Sequence, residues 1–109
     1  MYIKKISECN EIRPGERILV PRGDTETVAL GHVTVKKGSS TKTGFHDDEE
    51  EVYLILRGKA AVMLGEEQQE AGPGTVVYVP RNTSHKMTCI SDEDLEYVYF
   101  ANWPGQGKS

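Results

Sequence analysis

The sequence predicts an all-β protein made of two antiparallel sheets packed as a sandwich or barrel, and three observations carry that prediction. Short runs rich in Val, Ile, Leu, Thr and Tyr follow one another along the 109 residues. Eleven Gly and five Pro fall mostly between these runs, which is how strands and turns are punctuated. No stretch of ten or more residues keeps a 3.6-residue apolar period, so long helices are not expected.

The elements follow in order. "RILVPRG" (17–23) reads as a strand closed by Pro21 and Gly23, and "TVALGHVTVKKG" (27–38) as a longer strand running into a lysine–glycine turn. "EVYLILRG" (51–58) and "KAAVMLG" (59–65) each end at a glycine, and "TVVYVP" (75–80) ends at Pro80. "HKMTCI" (85–90) and "LEYVYF" (95–100) complete the series. Many short strands with Gly/Pro turns argue a sandwich or barrel. "VYLIL" and "TVVYV" look apolar on both faces, whereas a strand with one buried face alternates. Both faces are therefore expected to be covered, the outer one by a partner subunit, which predicts a homodimer. The chain is expected to be a single domain over 1–109. Strands in about 1–25 are candidates for the dimer contact, the barrel occupies 30–103, and 104–109 form a loose tail.

Composition removes several function classes. The net charge is −4, with Lys and Arg scattered, whereas a nucleic-acid partner needs a basic face. No apolar stretch approaches the roughly 20 residues of a membrane span. The opening "MYIKKISECNEI" has lysines but no apolar run behind them, unlike a secretory signal. Cys9 and Cys89 are too few and too far apart for a disulfide framework or a paired-cysteine zinc site. The expectation is a reduced, cytoplasmic protein.

The chemistry concentrates in "FHDDEEE" (45–51), one histidine followed by five acids. If His46 ends one strand and Glu51 opens the next, Asp47 to Glu50 form a solvated four-residue hairpin loop. His46 and Glu51 then lie opposite each other with Cβ atoms about 4.5–5.5 Å apart. An imidazole nitrogen and a carboxylate oxygen placed so can both approach one ion to roughly 2.1 Å. Strand parity forbids Glu50 and Glu51 from both facing inward. His85, opening "HKMTCI" after a Pro-led turn, is the candidate third ligand. His32, in mid-strand with no acidic or histidine neighbour at ligand spacing, reads as structural or exposed.

At this point the residues resemble the cupin superfamily, as a small microbial cupin. Its first motif is matched by Gly38, five residues, Gly44-Phe45-His46, four residues, Glu51, six residues and Gly58. Its second is matched by Gly74, five residues, Pro80-Arg81-Asn82, two residues, His85, three residues and Cys89. Fifteen residues lie between Gly58 and Gly74, matching the short spacer of such proteins. The resemblance implies a double-stranded β-helix, or jelly-roll, barrel of two antiparallel sheets. Three departures stand out: Gly44 replaces the first histidine of the family's His-x-His pair, Asn82 replaces the turn glycine, and Cys89 stands where the family often has Asn.

Carried over residue by residue, the metal ligands are His46, Glu51 and His85. A two-histidine, one-carboxylate set suits Fe(II) with open positions, and Mn, Ni, Zn or Co can also bind it. Strand parity adds Tyr53, on the face of Glu51, as a hydrogen-bond or proton donor. It adds Met87 and Cys89 on the face of His85, and Lys42 on the face of Gly44 and His46 as a partner for an anionic substrate. The function expected is a metalloprotein that binds one divalent transition metal and acts on a small oxygen-bearing metabolite, a sugar or organic acid. The chemistry the resemblance permits is that of a dioxygenase, decarboxylase, isomerase or lyase. The alternative is a non-catalytic or metal-free small-molecule-binding module.

Overall fold

A computed structural model describes residues 1–104. Among these, nine strands form: β1 Glu11–Arg13, β2 Glu16–Val20, β3 Val28–Val35, β4 Glu50–Arg57, β5 Ala60–Leu64, β6 Glu67–Ala71, β7 Val76–Val79, β8 His85–Cys89 and β9 Leu95–Asn102. Single 3-10 turns at Ile6–Glu8 and Arg22–Asp24 are the helical elements present. The strands make two antiparallel sheets, a six-stranded one in the order β1-β2-β3-β9-β4-β7 and a three-stranded one in the order β6-β5-β8. The predicted jelly-roll of two antiparallel sheets is thus present, with the sheets facing one another rather than hydrogen-bonded into a closed cylinder.

The seven runs read from the sequence all become strands, and β1 and β6 are additions. β6 reads "EQQEA", with every side chain but Ala71 exposed, so apolar patterning carries no sign of it. It forms because Gly65 and Glu66 turn the chain between Leu64 and Glu67. Gly65 has φ 60°, and a positive φ at the first turn position suits the right-handed twist of a two-residue hairpin.

The core fills the space between the sheets. Val33, Val35, Tyr53, Ile55, Val77, Val79, Leu95 and Tyr97 face it from the larger sheet, and Ala60, Val62, Ala71, Met87 and Cys89 from the smaller. Burial alternates along β4 and β7, so each has one inner face. Their outer face is apolar, as expected, but within one chain it is open: Leu54, Leu56, Val76 and Tyr78 are 39–63% exposed.

The connection from β3 to β4 departs from the expected hairpin. β3 pairs with β2 and β9, and β4 with β7 and β9. Residues 38–46 instead cross to the smaller sheet, where Ser40 bridges Thr88 and Gly44 bridges His85. The backbone accounts for the crossing: Thr41 donates to Met87, and Gly44 and His85 exchange N–H···O bonds of 2.8 and 3.0 Å. The unpaired edge of β8 takes up the donors and acceptors that a β3–β4 hairpin would have used. Trp103, at the edge of the predicted tail, is buried, and 105–109 lie outside the described residues.

Candidate metal centre

Glu51 and His85 come from facing sheets, and His46 from the crossing segment between them. Glu51 is the second residue of β4, inward with Tyr53 and Ile55. His85 opens β8 and shares its buried face with Met87 and Cys89. One donor atom from each of His46, Glu51 and His85 lies within 4.8 Å of the other two. His46 Nε2 is 3.9 Å from Glu51 Oε2, and His85 Nε2 is 3.7 Å from Glu51 Oε1. Two donors each about 2.1 Å from one ion stand roughly 3.0–4.2 Å apart for ligand angles between 90° and 180°. Both separations to Glu51 fall inside that range, one to each of its oxygens, and with all three donors within 4.8 Å of one another the set could hold a single divalent ion.

Neighbouring groups orient these donors. His85 Nδ1 is 3.1 Å from the carbonyl of Thr83. A carbonyl only accepts, so Nδ1 carries the proton and Nε2 turns its lone pair to the cluster. Burial holds the His85 imidazole below its ordinary pKa and His46 adds to this, against the Thr83 carbonyl. The neutral ring that results is the form that binds metals. Tyr53 donates from its buried hydroxyl to Glu51 Oε1 at 2.9 Å. Burial and then the Glu51 charge push the Tyr53 phenol far above its ordinary range, which makes it a fixed donor at neutral pH.

Gly44 has a steric reason to be glycine. A Cβ built there would lie 2.6 Å from His85 Nε2 and 3.1 Å from Cε1. The His85 ring therefore lies over the bare backbone of Gly44, in space that a side chain at position 44 would need. Asn82, in the turn before β8, adopts φ 63°, a conformation Asn tolerates better than most residues. Its N–H donates to the His46 carbonyl at 2.7 Å, which ties the His46 backbone to the turn that leads into His85.

The other predicted residues divide. Met87 is a core side chain, and the Cys89 thiol donates to the Glu93 carbonyl at 3.2 Å. Four residues of strand separate Cys89 from His85, about 13 Å at the usual rise, so Cys89 is remote from the three donors. Lys42 is exposed. His32 is buried, with Nε2 2.6 Å from Glu96, a structural pair joining β3 and β9.

The predicted loop of four solvated acids needs correction. Glu50 belongs to β4, where it accepts from the Tyr78 hydroxyl at 2.7 Å. Glu49 turns inward: its side chain is 11% exposed against 55% for Asp48. Burial and the neighbouring Glu51 carboxylate raise the Glu49 pKa, against His46 and Arg22. The signal lay in the same period-two rule that separated Glu50 from Glu51, since it puts Glu49 on the side of Glu51.

Residues 31–100 match the cupin domain family. The chain is a cupin. An uncharacterized protein of Streptomyces coelicolor is 38% identical over 53 residues, 49% of this chain and 50% of that protein. Glucose-6-phosphate isomerase of Pyrococcus furiosus is 38% identical over 71 residues, 59% of this chain and 36% of the enzyme. This cupin thus spans half or less of the length of these curated relatives. Among solved structures, a predicted oxalate decarboxylase of Thermotoga maritima superposes with TM-score 0.83 at 18% identity, covering 94% of this chain and all of that one. The polyketide cyclase RemF of Streptomyces resistomycificus gives 0.78 at 21% identity, covering 97% and 82%. At such identities the likeness is one of fold. Among the described residues no helix is long and apolar enough to cross a membrane.

Proposed function

We propose that this cupin binds one divalent transition metal ion through His46, Glu51 and His85, and acts there on a small oxygen-bearing metabolite, a sugar or organic acid. The observation that carries the reading is the convergence of three donors within 4.8 Å, with His85 Nε2 set toward the others by the Thr83 carbonyl. Such an ion would supply Lewis-acid polarisation of a substrate oxygen. The chain's own part is to fix the donors: Tyr53 restrains the Glu51 carboxylate, and Gly44 leaves room for the His85 ring. Three ligands leave coordination positions open, and His46, with a side chain 39% exposed, marks the solvent side of the site. The likeness to glucose-6-phosphate isomerases supports a sugar-like substrate, although it covers 59% of this chain.

Metal analysis of protein purified without an affinity tag tests the reading, with close to one equivalent expected after reconstitution. Less than about a tenth of an equivalent of any transition metal would discard it. The His85→Ala variant should lose the metal, and retained stoichiometry would refute the ligand assignment.

The same reading includes a cytoplasmic homodimer. Leu54 pairs with Val76 on one side and Val98 on the other, and Val52 with Tyr78 and Phe100. The outer face of β7, β4 and β9 is thus one apolar surface, with Phe100 42% exposed. A second copy covering it would remove that area from water, at about 25 cal/mol per Å2. The N-terminal segment also exposes Ile3, Ile6 and Ile12 and is the other candidate contact. Light scattering should return the dimer mass and Leu54→Glu should return the monomer; a monomeric wild type at micromolar concentration would sink the dimer.

A further inference from the structure

We infer that Glu49 is a fourth donor to the metal site, with Arg22 as the residue that positions it. The inference rests on the three-residue site proposed above and extends it. His46 Nε2 stands between two carboxylates at equal distance, 3.9 Å from Glu49 Oε2 and 3.9 Å from Glu51 Oε2. Both side chains are well buried, 11% and 8% exposed. Two carboxylates converging on one imidazole in a region of low exposure repel each other unless a shared cation or proton lies between them. Oε2 of both glutamates lies on the His46 side, so an ion held by His46 and Glu51 would have the Glu49 carboxylate beside it.

The two oxygens of Glu49 have separate roles. Oε1 accepts from Arg22 Nη1 at 3.1 Å, which leaves Oε2 on the His46 side. Arg22 is itself braced, with its guanidinium carbon 4.1 Å from the centre of the buried Trp103 ring and Nη2 2.9 Å from Asp48 Oδ2. A planar guanidinium stacked on an indole and forked between two carboxylates is a stiff support. It holds the acidic loop so that Glu49 alone of Asp47, Asp48 and Glu49 reaches the site. Gly44 offers no side chain there, so Glu49 makes the set two histidines and two carboxylates, a harder and more anionic site that favours Mn(II) or Fe(II) over softer ions.

Co(II) titration of the full chain, followed by its visible absorption, tests this on the wild type, Glu49→Gln and Asp47→Asn. Glu49→Gln keeps the length of the side chain and an oxygen for Arg22. It should weaken Co(II) binding by about 100-fold or more, the upper end of what losing an outer-shell partner costs, and should shift the visible bands. Asp47→Asn, with the same change in charge at an exposed position of the same loop, should do neither. Glu49→Gln binding within about threefold of the wild type would overturn the inference and leave the three-residue site standing. So would weaker binding with an unchanged spectrum, or an equal loss in Asp47→Asn, because charge alone would explain either. A wild type that binds no Co(II) would refute the three-residue site, and the fourth donor with it.

Discussion

Replacing Gly44 by alanine should separate the stability of the fold from the integrity of the metal site. The backbone at Gly44 is not in the left-handed region, so alanine can adopt it, and a compatible Gly→Ala change stabilises by about 0.4–1 kcal/mol through the unfolded chain. Against that, the new Cβ would lie 2.6 Å from His85 Nε2, roughly 0.8 Å inside ordinary van der Waals contact. Relief requires the imidazole to leave its place, and a side chain displaced about 30° from its rotamer costs about 0.5–1.5 kcal/mol. The two effects nearly cancel, so the metal-free variant should unfold within about 1 kcal/mol of the wild type.

Metal binding has no such compensation. Coordination distances are held to about 0.2 Å, and Nε2 must retreat by roughly four times that. Affinity should therefore fall about 100-fold or more, or about 2.7 kcal/mol. The assay is a pair of measurements: denaturant unfolding without metal, and Zn(II) or Co(II) affinity by competition with a chromophoric chelator. Unchanged affinity in Gly44→Ala would refute the argument, because His85 could then not be both ligand and the group lying over Gly44. A large loss of metal-free stability would show instead that the backbone, rather than the ring, gives way.

Three further outcomes follow from the structure. Ile55 is fully buried between the sheets, so Ile55→Ala should cost about 2–5 kcal/mol in denaturant unfolding; less than about 1 kcal/mol would place the core elsewhere. Tyr53, Tyr97 and Tyr99 all have phenol pKa values raised by burial first; a raised folded pKa gives stability that is complete below the unfolded value near pH 10 and lost as pH rises above it. Absorbance at 295 nm should therefore show these three ionising only with cooperative alkaline unfolding, and early non-cooperative ionisation of all five tyrosines would contradict their burial. Cys9 and Cys89 are both free and buried, but Cys9 lies outside the main core cluster that contains Cys89. Timed maleimide labelling read by mass spectrometry should modify Cys9 first through local opening, and the reverse order would contradict that difference.

The sequence announces its strands where apolar residues and turn residues alternate, and it is silent where pairing is imposed from outside. β4, β7 and β8 are legible because Ile55, Val77 and Met87 must leave water and β-branched neighbours favour extended backbone. β6 is hidden because Glu67, Gln68, Gln69 and Glu70 pair with β5 through their backbone and bury almost no side chain. The crossing of 38–46 is hidden for a related reason. Sequence adjacency of "FHDDEEE" and "VYLIL" suggests a hairpin, while the vacant edge of β8, forty residues further on, captures Ser40 and Gly44.

The candidate site shows how a wrong local path can still bring the predicted residues together. His46 and Glu51 meet, but across the gap between two sheets rather than across a hairpin. Their approach depends on His85 holding Gly44 by a pair of backbone bonds, so one residue, His85, both offers a donor atom and fixes the segment that carries another. Parity along 49–51 survives this change of path, because it depends only on the extended backbone entering β4. Applied to all three glutamates it separates Glu50, bonded to Tyr78 on the outer face, from Glu49 and Glu51, which both reach His46. Position 44 follows from the same geometry: with a bridge partner that turns its imidazole back over the strand, only a residue without a Cβ leaves the ring in place. A donor side chain at 44 would compete with the His85 ring for that space, and the proposed further donor, Glu49, comes instead from the acidic loop on the His46 side.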